Sequence, residues 1–580
     1  MSKLAAGGGP NRLLVSVARV GGGWIALLAL TSLAIAAAEL ALPAVIGSAV
    51  DAVLEDRSVR FWVLMAAVLI AVLVAADTLD DLGTGIAVAR STAGLRHGVL
   101  AHVLAIGSRS VAGLPPGEIT ARLVGNTAET ARVAPDVVRS IAGLVPAFGG
   151  IVALFIIDFW LGATFCAGLP MLMLILRRFA RDASNIATSY LAVQGTIARR
   201  LVDAIAGART IAAAGTAERE AGRVLAPLPE LHRQGAAMWR AQMRLNSQDV
   251  VLIALLELAV LAVAGELLSR GRISPGELIA ASQYVLLASG IGGAVAGMTR
   301  IVRSRAAAKR VLEILDEPPM RYGATPTPRG GGRIEFRGVA ARAGGRLVLA
   351  DLDLVIPPGA LVAVVGRSGS GKSLLAALAG RLVDPDEGEV LLDGVALPEL
   401  GRDDLRREIG YGFERPVLLG ETLGDAIACG TDTVPREDVI AAAAAARADD
   451  FIRLMPDGYD TPVRDAPMSG GEVQRVGLAR TFAHARRVVV LDDVAASLDT
   501  VTEHHIGAVL TGALADHTRI VIAHRASTAA RADAVIWLED GRVKAYAPHD
   551  ELWRDPLYRA LFEARDAPAA QAPATNGARP

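Results

Sequence analysis

Six long apolar runs, near residues 24–49, 61–80, 138–157, 160–176, 249–266 and 276–298, dominate the first three hundred positions of the chain. At about 1.5 Å per helical residue each comes close to or exceeds the length that crosses about 30 Å of hydrocarbon, the fourth being the shortest. A soluble helical core is the alternative reading, but nearly uncharged runs in series differ from the one-faced stripes of soluble helices. The pattern predicts six membrane-spanning helices. Only Asp158 and Phe159 separate the third run from the fourth, which predicts a very tight turn. Much longer gaps follow the second and fourth runs. Both have helical periodicity, as in Leu95, Val99, Val103 and Leu104, so the helices are expected to continue far beyond the bilayer and to act as rigid levers.

Charge orients this arrangement. The two long gaps carry Arg90, Arg96, Arg177, Arg178 and Arg199, and the positive-inside rule places them and the amino terminus in the cytoplasm. The short Asp51–Arg60, Asp158 and Ser269–Pro275 connections then face outward. The run from Trp24 is longer than a signal sequence and lacks a small-residue cleavage site, so it is read as a retained membrane helix. Glu39 and Glu257 lie inside spans and could line a path for a cationic solute or serve as structural hydrogen-bonding groups. Asp77, Asp80 and Asp81 sit near a span end, as interfacial residues would. Pro43 and Pro170 could bend their helices locally.

After about residue 330 the pattern changes to short apolar strands alternating with helical stretches. A Pro-, Gly- and Arg-rich segment reads as a linker. Strand-like Arg333–Phe336 and Leu347–Ile356 lead to a Pro357–Gly359 turn, then to Leu361–Val365, which runs into Gly366–Arg367–Ser368–Gly369–Ser370–Gly371–Lys372–Ser373 and a helical stretch from Leu374 to Leu382. Strand, Gly-rich loop and helix in that order make a phosphate cradle: the glycines let amides converge on phosphate oxygens at a helix N-terminus. Lys372 is placed to reach the terminal phosphates, and Ser373 to hold Mg2+. Farther on, strand-like Val488–Leu491 ends in Asp492 and Asp493, an acid pair suited to Mg2+ and to the attacking water, and strand-like Ile520–Ala523 precedes His524, a candidate γ-phosphate contact.

Composition narrows the picture. A length of 580 residues calls for more than one domain. Net charge of −1 supplies no general attraction to nucleic acid. Cys166 and Cys429, one in each half, cannot build a disulfide framework, and packing is the expected role of both.

Ser469–Gly470–Gly471–Glu472–Val473–Gln474–Arg475 is a more selective marker. With it the chain resembles an ABC transporter, specifically a fused half-transporter of the type IV exporter class, over roughly residues 15 to 565. The six-span layout, Gly117–Glu118–Ile119 in the first long gap and Leu201–Thr210 in the second belong to the same resemblance. It implies a multidomain fold, a six-helix transmembrane domain followed by an α/β P-loop nucleotide-binding domain, with bounds 1–315, a linker 316–332, 333–565 and a disordered Ala- and Pro-rich tail 566–580. It further implies ATP and Mg2+ as cofactors, a dimer with a second half-transporter, and ATP held between the phosphate loop of one subunit and the Ser469, Gly470 and Gly471 segment of the other. Carried over by position, Lys372 and Ser373 bind phosphate and magnesium, Asp492 supports magnesium, Glu414 senses it, His524 is the switch histidine, and Asp499 in Ser497–Leu498–Asp499 communicates across the dimer.

The departures are informative. Asp493 stands where the family has a glutamate, Glu414 where it has glutamine, and Ala343 where an aromatic ring would stack on adenine. The segment Tyr459–Met468 is short, with Asp465 its best acidic candidate. An aspartate withdraws the carboxylate by about 1 Å, a displacement on the scale that costs on the order of 100-fold in rate. The chain is therefore expected to hydrolyse ATP slowly at its own site and to pair with a different, catalytically complete subunit rather than with itself. Export of a small molecule, lipid or peptide is the expected activity, with no leader-peptidase domain ahead of Trp24. Import of a siderophore-like or vitamin-like solute and a regulatory subunit that gates its partner are the alternatives. The expected location is the cytoplasmic membrane, in contact with lipid, with both termini in the cytoplasm.

Overall fold

The computed structural model describes residues 9–107, 116–429, 434–494 and 499–566, and in three long helices the backbone without every side chain. The amino-terminal residues 1–8, the tail beyond Asp566, and Ser497 and Leu498 lie outside the described residues. The chain divides into two compact units, Met1–Ala101 with Pro116–Asp316, and His102–Pro115 with Glu317–Pro580.

The first unit is helical. Its apolar runs lie in helices Gly23–Leu54, Arg60–Ile106, Leu144–Ile157, Phe159–Ala206 and Leu228–Ser269, and the sixth is divided between Pro275–Ser289 and Ile291–Leu315. Among the described residues, four helical stretches, Gly23–Leu54, Arg60–Ile106, Gly117–Ile157 and Val250–Ser269, are long and apolar enough to cross a membrane, and Phe159–Met171 is a shorter apolar one. Ile156 and Leu64 are 79% and 67% exposed; such surface suits lipid rather than water. The interior packs Leu154, Leu161, Phe165, Val260, Ala264 and Val285. Close approach is set by glycine: a β-carbon on Gly276 would stand 2.0 Å from the Gly47 carbonyl oxygen. There Asp51 accepts from the Ser274 hydroxyl at 2.6 Å and the Gly276 amide at 2.7 Å.

The turn after the third run is as short as its sequence demands. Asp158 is extended, caps the next helix by accepting from the Trp160 amide at 2.9 Å, and pairs its buried carboxylate with Arg272 at 2.5 Å. Asp80 departs from the interfacial expectation. It is 4% exposed and accepts from Thr31 at 3.0 Å, Ser32 at 2.8 Å and Arg139 at 2.7 Å, while Arg139 also reaches Asp81 at 2.8 Å. An ionised carboxylate removed from water needs such partners. Glu39 and Glu257 are half-buried. Gly117–Ile119 lies in the helix Pro116–Ala121, followed by a π-helical turn Arg122–Asn126 whose carbonyls at Leu123 and Val124 accept from Arg96 at 3.3 Å and 2.8 Å.

Among its described residues the second unit carries ten strands: β1 Ile334–Ala343, β2 Arg346–Ile356, β3 Leu361–Gly366, β4 Glu387–Leu392, β5 Val395–Ala396, β6 Ile409–Gly412, β7 Val488–Leu491, β8 Thr518–Ile522, β9 Ala534–Glu539 and β10 Arg542–Ala547. An antiparallel sheet has the order β2-β1-β4-β5, and a six-stranded sheet the order β10-β9-β3-β8-β7-β6. In the larger sheet β9, β3, β8, β7 and β6 are mutually parallel and only β10 runs against its neighbour. Its strands read as continuous apolar runs because both faces are covered. Val362, Val364, Val488, Val490, Ile520 and Ile522 enter one core with Leu375 and Leu378 of the helix Lys372–Ala379, while Val489, Leu491 and Val521 enter another with Val476 and Leu478 of the helix Gly470–His484.

Candidate functional site

Parallel strands end together, and ligands of open α/β sheets bind at their carboxyl ends. Here the end of β3 delivers Gly366 and the phosphate loop, the end of β8 leads to His524, the end of β7 to Asp492 and Asp493, and the end of β6 to Phe413 and Glu414. Residues more than a hundred positions apart thus reach one edge of one sheet.

The loop follows its glycines. Gly369 and Gly371 have φ of 83° and 100°, values at which a β-carbon is strained. At Gly371 it would also stand 2.6 Å from Leu349 Cδ2. The helix begins at Lys372 and ends at Ala379, before the expected Leu382. Lys372 is 7% exposed, and its ammonium donates to the carbonyls of Gly366 at 2.9 Å and Arg367 at 3.0 Å. Ser370 Oγ is buried without a hydrogen-bond partner among the described residues, an orphan hydroxyl inside a phosphate-sized loop. A cleft of about 450 Å³ opens beside it, lined by Gly366, Arg367, Ser368, His524, Leu561 and Phe562 among others.

The acid edge is tightly joined to the loop. Ser373 Oγ donates to Asp492 Oδ1 at 2.9 Å, and the Tyr411 hydroxyl donates to Asp492 Oδ2 at 3.3 Å. Burial, with Asp493 and Glu414 adding like charge, pushes the Asp492 carboxyl above its usual range against the pull of those two hydroxyls. Burial beside Asp492 likewise pushes Tyr411 far up, so it remains a donor. Among the described residues no group of three His, Cys, Asp or Glu side chains forms a metal cage. A hydroxyl beside a carboxylate nevertheless suits Mg2+, which is held through one or two protein oxygens with phosphates completing its shell. Asp493 has φ of 50°, the left-handed region that Asp tolerates better than most side chains. Its Oδ2 lies 3.1 Å from His524 Nε2. Glu414 is exposed, and the charged partner it meets is Arg415 at 3.7 Å.

The signature segment caps a helix. Ser469 accepts from the Glu472 amide, and Glu472 accepts from the Ser469 amide at 2.7 Å, a reciprocal capping box ahead of Gly470–His484. That backbone hydrogen bond, then the Ser469 hydroxyl, hold the Glu472 carboxyl below its usual range. Asp499 caps Thr500–Thr511, accepting from the Val501 and Thr502 amides. Ala343 is exposed at the end of β1, directly opposite Arg346.

The structure bonds Ser373 of the phosphate loop to Asp492 and Asp493 to His524, leaves Glu414 at the same edge on the surface, and puts Ser469–Gly471 at the start of a separate helix. Two contributors escaped the sequence reading. Tyr411 gains its role from pairing of β6 with β7, and Gln474, quoted only as part of the signature, is 4% exposed and donates to the Phe413 carbonyl at 3.0 Å, tying the signature helix to the segment before Glu414.

Comparison with known proteins gives a consistent result. Residues 25–291 match the family described as ABC transporter transmembrane region, and residues 349–496 match the ABC transporter family. The chain is similar to the ABC transporter ATP-binding protein RamA of Streptomyces coelicolor, with 45% identity over 539 residues, 93% of this chain and 85% of that one. It is 33% identical over 416 residues to an ATP-dependent lipid A-core flippase of Chromohalobacter salexigens, covering 69% of this chain and 70% of the flippase. Among solved structures, a bacterial Atm1-family ABC exporter with ATP bound superposes with a TM-score of 0.79 at 26% identity, covering 95% of this chain and 99% of that one.

Proposed function

This chain belongs to the ABC transporter family, with membrane and nucleotide-binding halves fused in one polypeptide, and from that premise we propose that it is the slower-hydrolysing half of a heterodimeric exporter. ATP-driven export is supported by the flippase and the Atm1-family exporter among the proteins it resembles, half-transporters of ABC exporters generally dimerise, and the nucleotide-binding half is cytoplasmic. The finer reading concerns cargo, partner and rate. A lipid A-core flippase among the relatives supports a lipid or a comparably apolar small molecule or peptide as cargo. The domain bounds that go with this reading are 1–315, 316–332 and 333–565, followed by the tail.

One observation carries the proposal of slow hydrolysis. The carboxylate at the end of β7 that faces His524 at 3.1 Å belongs to an aspartate, Asp493. In the proposed cycle the amides of Gly366–Ser373 and Lys372 would hold the phosphates, and Ser373 and Asp492 would hold Mg2+, which would supply charge to offset that on the phosphates. Asp493 would orient the attacking water, His524 would steady that carboxylate and meet the γ-phosphate, and Glu414 would sense the metal from the end of β6. A carboxylate about 1 Å short binds the nucleotide as well but positions water poorly, at a cost on the order of 100-fold. Ser469, Gly470 and Gly471 would complete the partner's site instead.

The test is to purify the chain alone and with its copurifying subunit, in lipid, and measure ATP turnover. Slow turnover alone and fast turnover in the complex support the reading; robust turnover by the single chain, abolished by Lys372→Ala, overturns it. Inside-out vesicles carrying the complex are expected to accumulate cargo on ATP addition. Accumulation only in right-side-out vesicles would make the transporter an importer, and gating without net transport would make this chain a regulatory subunit.

A further inference from the structure

We infer that the amino-terminal helix and the end of the first span seat the headgroup of an anionic phospholipid of the cytoplasmic leaflet, among Arg12, Arg19 and Arg90.

The helix Pro10–Gly21 is two-faced. Leu13, Val17 and Gly21, spaced four apart, are buried, whereas Arg12, Val15 and Arg19 recur at the three- and four-residue spacing of one face and are all exposed. At 1.5 Å per residue the two arginines stand about 10 Å apart along that face. The helix stops at Gly22, whose φ of 51° suits glycine. The helix Gly23–Leu54 begins at once, with Trp24 in its first turn.

Two contacts bring a third arginine to this corner. The Ser91 hydroxyl donates to the Val17 carbonyl at 3.3 Å. The guanidinium of Arg90, the residue before it, lies 5.8 Å from the centre of the Trp24 ring, within cation–π range. A tryptophan at the end of an apolar span marks the level of the lipid headgroups, so the corner lies at that depth rather than out in the cytoplasm.

What the corner lacks is counter-charge. Among the described residues the guanidinium groups of Arg12, Arg19 and Arg90 make no hydrogen bond or ion pair. In the same unit Arg122, Arg139 and Arg300 each meet a carboxylate. The sequence explains the difference: no acid occurs before Glu39, and none between Asp81 and Glu118. Negative charge is left for the surroundings to supply, and the anions that the inner membrane surface offers at this level are lipid phosphates. A guanidinium meets phosphate oxygens through paired N–H donors. Val15 and Val20, exposed on the same helix, suit the boundary between headgroups and acyl chains. A headgroup held there ties the amino-terminal helix to the first span across the turn at Gly22.

Native mass spectrometry of the full chain, released from micelles of a neutral detergent that carry equal amounts of dioleoyl phosphatidylglycerol and dioleoyl phosphatidylcholine, tests this, with thermal unfolding as the folding control. The native chain is expected to retain phosphatidylglycerol over phosphatidylcholine by about 10-fold or more in its tightest adduct. Arg12→Gln, Arg19→Gln and Arg90→Gln are each expected to lower that preference about fivefold, the contribution of one arginine at an anionic surface, and the triple variant to abolish it. Arg199→Gln, at an exposed arginine of the helix Phe159–Ala206, is expected to leave it unchanged. Inorganic phosphate in millimolar excess is expected not to displace the lipid. Equal retention of the two lipids by the native chain, an undiminished preference in the triple variant, or the same loss in Arg199→Gln would overturn the inference. Displacement by inorganic phosphate would overturn the assignment to lipid and make the corner a site for free anions.

Discussion

Two aspartates, one in each unit, the first buried and the second half-buried, solve the same problem in opposite ways. Asp80 sits among the membrane helices with its charge answered from within the chain, by two hydroxyls and by Arg139, which also serves Asp81. Asp492 sits at the end of β7 with two hydroxyls, Ser373 and Tyr411, and beside two carboxylates of its own sign, Asp493 and Glu414. The first cluster is closed by a cation of the chain itself, Arg139. The second would be completed by the proposed Mg2+. Internal charge balance separates a carboxylate that holds helices together from one proposed for chemistry.

That contrast can be broken in four ways. The largest expected effect is on Asp492→Asn, which removes the proposed metal-binding charge and is expected to lower ATP turnover of the complex at this site by about 100-fold or more. Its thermal stability without nucleotide should be unchanged or higher, since a half-buried charge among like charges has been removed; a large fall in Tm would show that Asp492 is structural after all. Next, Asp493→Glu is expected to raise turnover of this site on the order of 100-fold, measured against a partner whose own site is inactivated. No gain would mean that side-chain length is not what limits the site. Third, Arg139→Ala strands Asp80 without its cation and is expected to cost about 3–5 kcal/mol, read as a loss of thermal stability in detergent. Arg139→Ala combined with Asp80→Asn should recover much of that loss, because no unpaired charge remains. The smallest is Ser469→Ala, which removes a helix cap worth about 1 kcal/mol; it is expected to lower Tm by a few degrees while reducing hydrolysis at the partner's site rather than at this one.

The phosphate loop was legible because its chemistry is local: the glycines, Lys372 and Ser373 are consecutive, and the strand and helix that flank them announce themselves by pattern. Four of the six expected membrane spans were legible for a similar reason, since hydropathy accumulates along a run. What escaped was produced by pairing. Tyr411 meets Asp492 across 81 positions, and Gln474 reaches the Phe413 carbonyl across 61. Asp80 looked interfacial because its partners Thr31, Ser32 and Arg139 stand 48 to 59 positions away. No window of sequence holds both members of such a contact, and nothing in the type of either residue names the other. Helix ends were also misjudged slightly, as with Ala379 against Leu382, because an apolar run can continue past the backbone turn that ends the helix.

The corner at Asp158 has a consequence for how the chain is made. With a single capping residue between the helices Leu144–Ile157 and Phe159–Ala206, there is no slack for one to settle in the bilayer while the other waits, so the two must enter as a hairpin. On the outward-facing placement expected for this turn, Asp158 would cross at the tip before its cation exists: Arg272 is synthesised more than a hundred residues later. Until Arg272 is made behind the helix Leu228–Ser269, the partner that holds Asp158 at 2.5 Å is missing, and its arrival is expected to fix the corner.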